Sequence, residues 1–225
     1  NGNQPCRVKH LLIDEMQDYS PIQYKVIQKL FPCRKTVLGD AGQSVNPYGS
    51  STAETIQKSL TASEIMKLCK SYRSTFEITD LAKDYPNAEL EPVARHGEKP
   101  QILQFGSAVE ELSGIMGLIS TYRKSGYKSL GIICKTEQQA RKMADMLKSY
   151  ANDISFYQVK LAFVQGIVIT SAHMAKGLEF DEVIIPQTDE RNYRSEIDKS
   201  MLYVAVTRAM HRLTLTFHEA RPATH

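Results

Sequence analysis

A series of short apolar runs, separated by stretches of helical periodicity, constrains this chain more than any other feature. Residues 129–134 (SLGIIC), 166–170 (GIVIT) and 182–186 (EVIIP) are each too short for a helix and lack the alternation of a half-exposed strand. Such runs read as strands buried on both faces. Between them, residues 137–150 carry Ala140, Met143, Ala144 and Leu147 at helical spacing. Residues 108–124 do the same through Val109, Leu112, Ile115, Met116 and Ile119. Strands at 101–105 and 213–217 (LTLTF), and helices at 76–84 and 200–210, extend the pattern. Strand alternating with helix predicts α/β layers around mostly parallel sheets.

The amino-terminal part repeats the pattern on a smaller scale. Residues 8–13 (VKHLLI) read as a buried strand ending at Asp14-Glu15, and 36–38 (TVL) as a second ending at Gly39-Asp40. Ser20-Pro21 opens a helix, with serine as cap and proline in the first turn, whose Ile22, Val26, Ile27 and Leu30 share a face. A short helix is expected over 52–59. Pro86, Pro92, Gly97 and Pro100 interrupt any period between 85 and 100, which predicts a linker between two lobes.

Composition narrows the function classes. Hydrophobic residues make up 42% and charged residues 24%, so disorder is excluded as the main state. Lys+Arg 28 against Asp+Glu 25 leaves a net charge of +3, so any nucleic-acid site is a local patch rather than a bulk effect. Cys6, Cys33, Cys69 and Cys134 are widely spaced, which argues against a zinc site or a disulfide framework. No apolar run reaches the roughly 18 residues of a membrane span. The cysteine usage reads as reduced thiols in a cytoplasmic protein.

Two strand ends carry candidate chemistry. An acid at the tip of a parallel strand can hold Mg²⁺ through water, and a second acid beside it can take a proton from an attacking water. Asp14 and Glu15 fit those roles, and they also fit a solvated strand end with a helix-capping acid. Asp14-Glu15-Met16-Gln17-Asp18 and Gly39-Asp40-Ala41-Gly42-Gln43-Ser44 both join acid to glutamine, which suggests one crevice at the carboxyl ends of a sheet. Gln43 could contact a phosphate oxygen or orient a water, and its loop is equally an ordinary glycine turn.

These segments resemble motifs II and III of superfamily 1 helicases of the UvrD/Rep type. Lys70-Ser71-Tyr72-Arg73-Ser74-Thr75 resembles motif IV, and Ser171 to Phe180 (SAHMAKGLEF) resembles motif V. Leu202 to Ala209 (LYVAVTRA) resembles motif VI. The matches run in the family's order from Leu11 to Leu213. The resemblance implies RecA-like parallel sheets of the P-loop NTPase type, with one partial and one nearly complete lobe. Residues 1–85 would end the first lobe, 86–100 would link, and 101–225 would form the second.

The resemblance also implies roles. Asp14 would hold Mg²⁺, Glu15 would activate water, and Gln17 and Gln43 would sense the γ-phosphate of ATP. Tyr72 would stack on the base; otherwise it is a core tyrosine with a satisfied hydroxyl. Arg73 and Arg208 would place guanidinium charge on the γ-phosphate, a contribution typically of about 10³–10⁵-fold in rate. Either alone could instead be a surface ion pair. Gly177 would belong to the nucleotide-binding turn. Glu179 would accept from a ribose hydroxyl, or merely pair with Lys176. Tyr48, Ser171 and His173 would meet single-stranded DNA, with Asn46 and Gly49 departing from the family pattern nearby.

The largest departure is motif I. Neither GxxxxGKS nor GxxxxGKT occurs in the sequence, so the phosphate-cradling loop is expected upstream of Asn1. The resemblance then implies a carboxyl-terminal piece of an ATP-dependent helicase with 3′ to 5′ polarity on DNA single strands or duplex ends. The piece alone would be inactive. The short interval between motifs IV and V resembles the HelD-like branch, some of whose members act on RNA polymerase. An alternative is a docking module for RNA polymerase or repair proteins. A third reading, a metal-dependent nuclease using Asp14, Glu15 and Asp40, leaves Arg208 and the Tyr72-Arg73 pair without roles.

Overall fold

The first two strands run side by side and parallel. β1 (His10–Ile13) is followed by α1 (Pro21–Leu30), and β2 (Arg34–Val37) pairs with β1 from His10↔Arg34 to Ile13↔Val37. α1 starts where the sequence places it. Ser20 Oγ accepts from Gln23 N while the Gln23 side chain accepts from Ser20 N, a reciprocal cap behind Pro21. α2 (Ala53–Ser59) begins at the capping Thr52. The computed structural model describes residues 8–44, 52–60, 63–85, 88–148, 150, 153–156 and 165–218.

The chain divides into two units, Asn1–Leu68 and Cys69–His225. In the first, Ile13, Tyr24, Ile56 and Leu60 are buried, with Leu11, Ile27 and Val37 packed against them. The 8–13 run, expected to be buried on both faces, therefore alternates: Ile13 turns inward and Leu12 is exposed. The expected inward face of α1 also differs. Ile22, Val26 and Leu30 are exposed, and the buried residue of the helix is Tyr24. The register that buries Tyr24 is held by its hydroxyl, which donates to Met16 O at 2.8 Å.

The second unit begins with β3 (Lys70–Ser71), α3 (Phe76–Ala82) and β4 (Glu91–Pro92), with β3 and β4 forming a two-residue parallel pair. The described residues between 69 and 100 thus fall in the second unit, whereas the sequence reading places 69–85 with the first lobe and 86–100 in a linker. Two contacts account for this. Ser74 Oγ donates to Ala209 O at 2.6 Å, and Arg212 holds Glu98 through Nε at 2.9 Å. Ile78 of α3 lies in the same core as Leu202 and Tyr203.

The remaining elements alternate: β5 (Gln101–Gln104), α4 (Ala108–Arg123), β6 (Ser129–Cys134), α5 (Glu137–Lys148), β7 (Ile154–Phe156), β8 (Gly166–Ser171), α6 (Ala172–Ala175), β9 (Phe180–Ile185), α7 (Glu196–Val206) and β10 (Ala209–Phe217). They form a six-stranded sheet of order β5-β10-β9-β6-β8-β7, parallel throughout. Its two faces are separate cores. Ile133, Val168, Val183 and Leu213 meet α3 and α7 on one side. On the other, Ile132, Ile169 and Ile184 meet Ile115 and Ile119 of α4 and Leu147 of α5. This is the α/β arrangement the strand pattern predicts. Val109, counted into the inward stripe of α4, is exposed. No helix among the described residues is long and apolar enough to cross a membrane.

Candidate functional site

The acidic residues of the first unit are held in a strained turn. Glu15 follows β1 with φ 54° and ψ 52°, the left-handed region that a glutamate seldom occupies. Such a conformation costs on the order of 1–3 kcal/mol and persists only where neighbours fix it. Here they do. Leu38 N donates to Ile13 O and Met16 N to Leu38 O, each at 2.8 Å, so the backbone on both sides of Asp14-Glu15 is tied to the end of β2. The Tyr24 phenol below has its pKa pushed up to about 12, chiefly by burial and then by Tyr19 and Asp18, so it stays a donor to Met16 O.

Gln17 joins the two strand ends. Its side chain is 0% exposed. Nε2 donates to Glu15 Oε2 at 2.8 Å, and Oε1 accepts from Asp40 N at 3.3 Å. The amide expected to sense a phosphate is thus a buried clip that orients Glu15. Gly39 makes room for it, since a Cβ there would lie 2.5 Å from Gln17 Oε1 and 2.6 Å from Met16 N. Gln43 is turned onto its own loop, donating to Asp40 Oδ2 at 3.0 Å while Asp40 Oδ1 caps Gly42 N. Asp40 therefore organises both glutamines. The sequence pairs each acid with its neighbouring glutamine but carries no signal for this cross-connection.

Asp14 is exposed, and its Oδ1 accepts from Glu15 N at 2.8 Å. Among the described residues, no group of three or more His, Cys, Asp or Glu gathers to hold a metal. A lone exposed carboxylate does not make a protein cage for an ion. It does fit Mg²⁺ that arrives on a nucleotide, since that ion keeps its waters and takes one or two carboxylates besides phosphate.

The second unit groups another set at the amino ends of β9 and β10. Tyr72 is 72% exposed, so its ring is presented to solvent rather than packed in the core. Arg73 Nε lies 2.8 Å from Glu179 Oε1. The partner of Glu179 is thus Arg73, where the sequence offered Lys176; Lys176 is itself buried. Arg95 Nη1 donates to Arg73 O at 2.8 Å, a positioning contact that nothing local in the sequence signals. Gly177 has φ +83°, and this left-handed turn carries the chain from α6 into Leu178, Glu179 and β9.

Arg208 behaves differently from Arg73. It is 1% exposed, with Nε donating to Val204 O at 3.0 Å, Nη1 to Leu178 O at 3.4 Å and Nη2 to Thr207 Oγ1 at 3.1 Å. Its own carbonyl accepts from Phe180 N at 3.0 Å. The residue is locked to the 177–180 turn by side chain and main chain together. Ser171 and His173 lie at the opposite, carboxyl end of β8. Ser171 is buried and its Oγ accepts from Met174 N at 3.4 Å, as the cap of α6, whereas His173 is exposed. Tyr48, with Asn46 and Gly49, lies outside the described residues.

Comparison with known proteins places both ends of the chain among helicase domains. Residues 3–64 match the UvrD/REP helicase N-terminal domain family, and residues 166–216 match the UvrD-like helicase C-terminal domain family. The chain is 34% identical to DNA helicase II of Haemophilus influenzae over 116 residues, covering 47% of the chain and 16% of that protein. It is 27% identical to ATP-dependent DNA helicase PcrA of Leuconostoc citreum over 154 residues, covering 62% of the chain and 21% of that protein. The chain thus spans well under half the length of these curated relatives. A crystal structure of the C-terminal domain of a possible DNA helicase from Lactobacillus plantarum superposes with a TM-score of 0.59 at 27% identity. That match covers 68% of this chain and 90% of the other.

Proposed function

We propose, from the premise that this chain belongs to the UvrD/Rep type of superfamily 1 helicases, that it is a segment of an ATP-dependent DNA helicase or translocase. The whole protein would hydrolyse ATP to move along single-stranded DNA in the 3′ to 5′ direction. The observation that supports this most is the grouping of Tyr72, Arg73 and Glu179 from segments distant in sequence. An exposed ring for a base, a carboxylate for a ribose hydroxyl and a guanidinium for phosphate are the three kinds of group a nucleoside triphosphate needs.

Glu15 would take the proton of the attacking water, held in place by the Gln17 amide. Asp14 would hold Mg²⁺ through water, and that ion when bound would neutralise charge on the β- and γ-phosphates. Gln43 would reach the nucleotide only by turning away from Asp40. Arg208 would reach phosphate only by its guanidinium turning away from Val204 O and Leu178 O. Exposed His173 would meet the DNA strand, with buried Ser171 holding α6 in place beside it, and Tyr48 is assigned to the same strand by the family resemblance alone. The 225 residues contain no phosphate-cradling GxxxxGKS or GxxxxGKT loop, and we expect them to turn over no ATP alone.

ATP hydrolysis by the whole protein, with and without single-stranded DNA, tests the reading. Glu15→Gln should lower DNA-stimulated kcat at least about 100-fold with little change in KM. Unchanged kcat would remove Glu15 from the reaction. Turnover insensitive to DNA would favour instead a docking module for RNA polymerase or repair proteins.

A further inference from the structure

One ion pair in the second unit joins two residues that the proposed reading assigns to different parts of the nucleotide. Arg73 Nε and Glu179 Oε1 are 2.8 Å apart, with side chains 39% and 43% exposed. While they hold each other, the guanidinium that should meet a phosphate is partly spent, and the carboxylate that should meet a sugar hydroxyl is compensated.

The backbone around the pair is fixed on both sides. Arg95 Nη1 holds Arg73 O, and the next residue, Ser74, is anchored through Oγ to Ala209 O in the buried interior. On the other strand of the contact, Leu178 N donates to Ala175 O at 2.9 Å and Phe180 N donates to Arg208 O at 3.0 Å. Freedom is therefore confined to the two side chains. A pair this exposed is weak and readily exchanged for other partners. A triphosphate offers Arg73 a stronger anion than one carboxylate. Its departure leaves Glu179 without a cation, and a ribose hydroxyl is the neutral donor that can satisfy it.

We propose that the Arg73–Glu179 pair is a sugar-gated latch: ribose hydroxyls take over Glu179 and so free Arg73 for the phosphate. Sugar recognition is thereby read out in turnover rather than in affinity. The inference rests on the reading of Arg73 and Glu179 given above and adds a coupling between them.

The test compares ATP with 2′,3′-dideoxy-ATP as substrates of the whole protein, in wild type, Glu179→Gln and Glu179→Asp. In wild type, the dideoxy substrate should lower kcat about fivefold while KM changes less than about twofold. Glu179→Gln removes the latch, so the two substrates should then differ in kcat by no more than about twofold. Glu179→Asp keeps the charge and should keep the gap. A wild-type penalty confined to KM overturns the latch, since Glu179 then only binds sugar. A gap in kcat that survives Glu179→Gln overturns it equally. No turnover of ATP by wild type sinks the underlying reading instead, which separates the two failures.

Discussion

The two units solve the same packing problem to different depths. In the second, a parallel sheet is covered on both faces: Ile132 and Ile133 are neighbours on β6, and each is fully buried in a different core. In the first, β1 and β2 are covered on one face, and Leu12, Ile22, Val26, Leu30 and Leu38 are exposed. Parallel strands are ordinarily buried on both sides. The chemistry follows the same division. The acids sit on the thin unit and are held by a clip of backbone and amide bonds. The arginines sit on the thick one, where the core behind them fixes their backbone.

The largest expected effect tests whether the second unit carries most of the burial. Phe180 is fully buried at the start of β9, in the core shared by α3 and α7. Phe180→Ala should cost about 3–5 kcal/mol of stability in urea unfolding. Val26→Ser, on the exposed face of α1, should stay within about 0.5 kcal/mol. Similar losses from both would mean that α1 is covered in solution and would erase the contrast. Hydrogen exchange should agree, with β1 and β2 amides exchanging before those of β6 and β8.

A smaller effect probes the clip in the first unit. Gly39→Ala places a Cβ against Met16 N, which is backbone and cannot swing aside, and against Gln17 Oε1. A cost of about 1–3 kcal/mol is expected, in the range of overpacking. It should fall on the first unit alone and be accompanied by loss of ATP turnover in the whole protein, because Gln17 would release Glu15. Normal turnover with lost stability would show that the clip is only structural.

Much of the second unit was legible because burial and local pattern agree there. β6 runs from Ser129 to Cys134 as read, and its β-branched residues have no other environment in which to pack. The Ser20-Pro21 start was legible because capping is a local interaction. What failed depends on distant partners. β10 starts at Ala209 rather than at 213, since its first half carries Arg212, whose charge is met by Glu98 and Glu182, and His211, whose ring meets Arg95, all from elsewhere in the chain. The start of α7 at Glu196 rather than 200 is a different, local miss: Ser195 and Asp198 form the same kind of reciprocal cap as Ser20 and Gln23. Within the site, residue types were legible and their states were not. A glutamine reads as exposed and an arginine as a surface charge, yet Gln17 and Arg208 are buried by contacts with Asp40 N and Leu178 O.

The smallest effect concerns the segment that the sequence reads as linker and the structure straps to the second unit. Glu98 accepts from Arg212 Nε at 2.9 Å, and that guanidinium holds its carboxyl below the usual range. Arg212 also pairs with Glu182, whose carboxyl is moved the other way, upward, by burial. A lowered carboxyl contributes stability that is present above the unfolded-state pKa of about 4.3 and is lost as pH falls through the folded value. Glu98 is more than half exposed, so its share is less than about 1 kcal/mol. Glu98→Gln should lower the urea midpoint slightly at neutral pH and leave it unchanged once the pH is below the lowered folded-state value, where the wild-type carboxyl is protonated too. Equal losses at both pH values would mean that the contact is held by packing against Arg212 rather than by charge. The strap would then belong to the second unit for the same reason as its core.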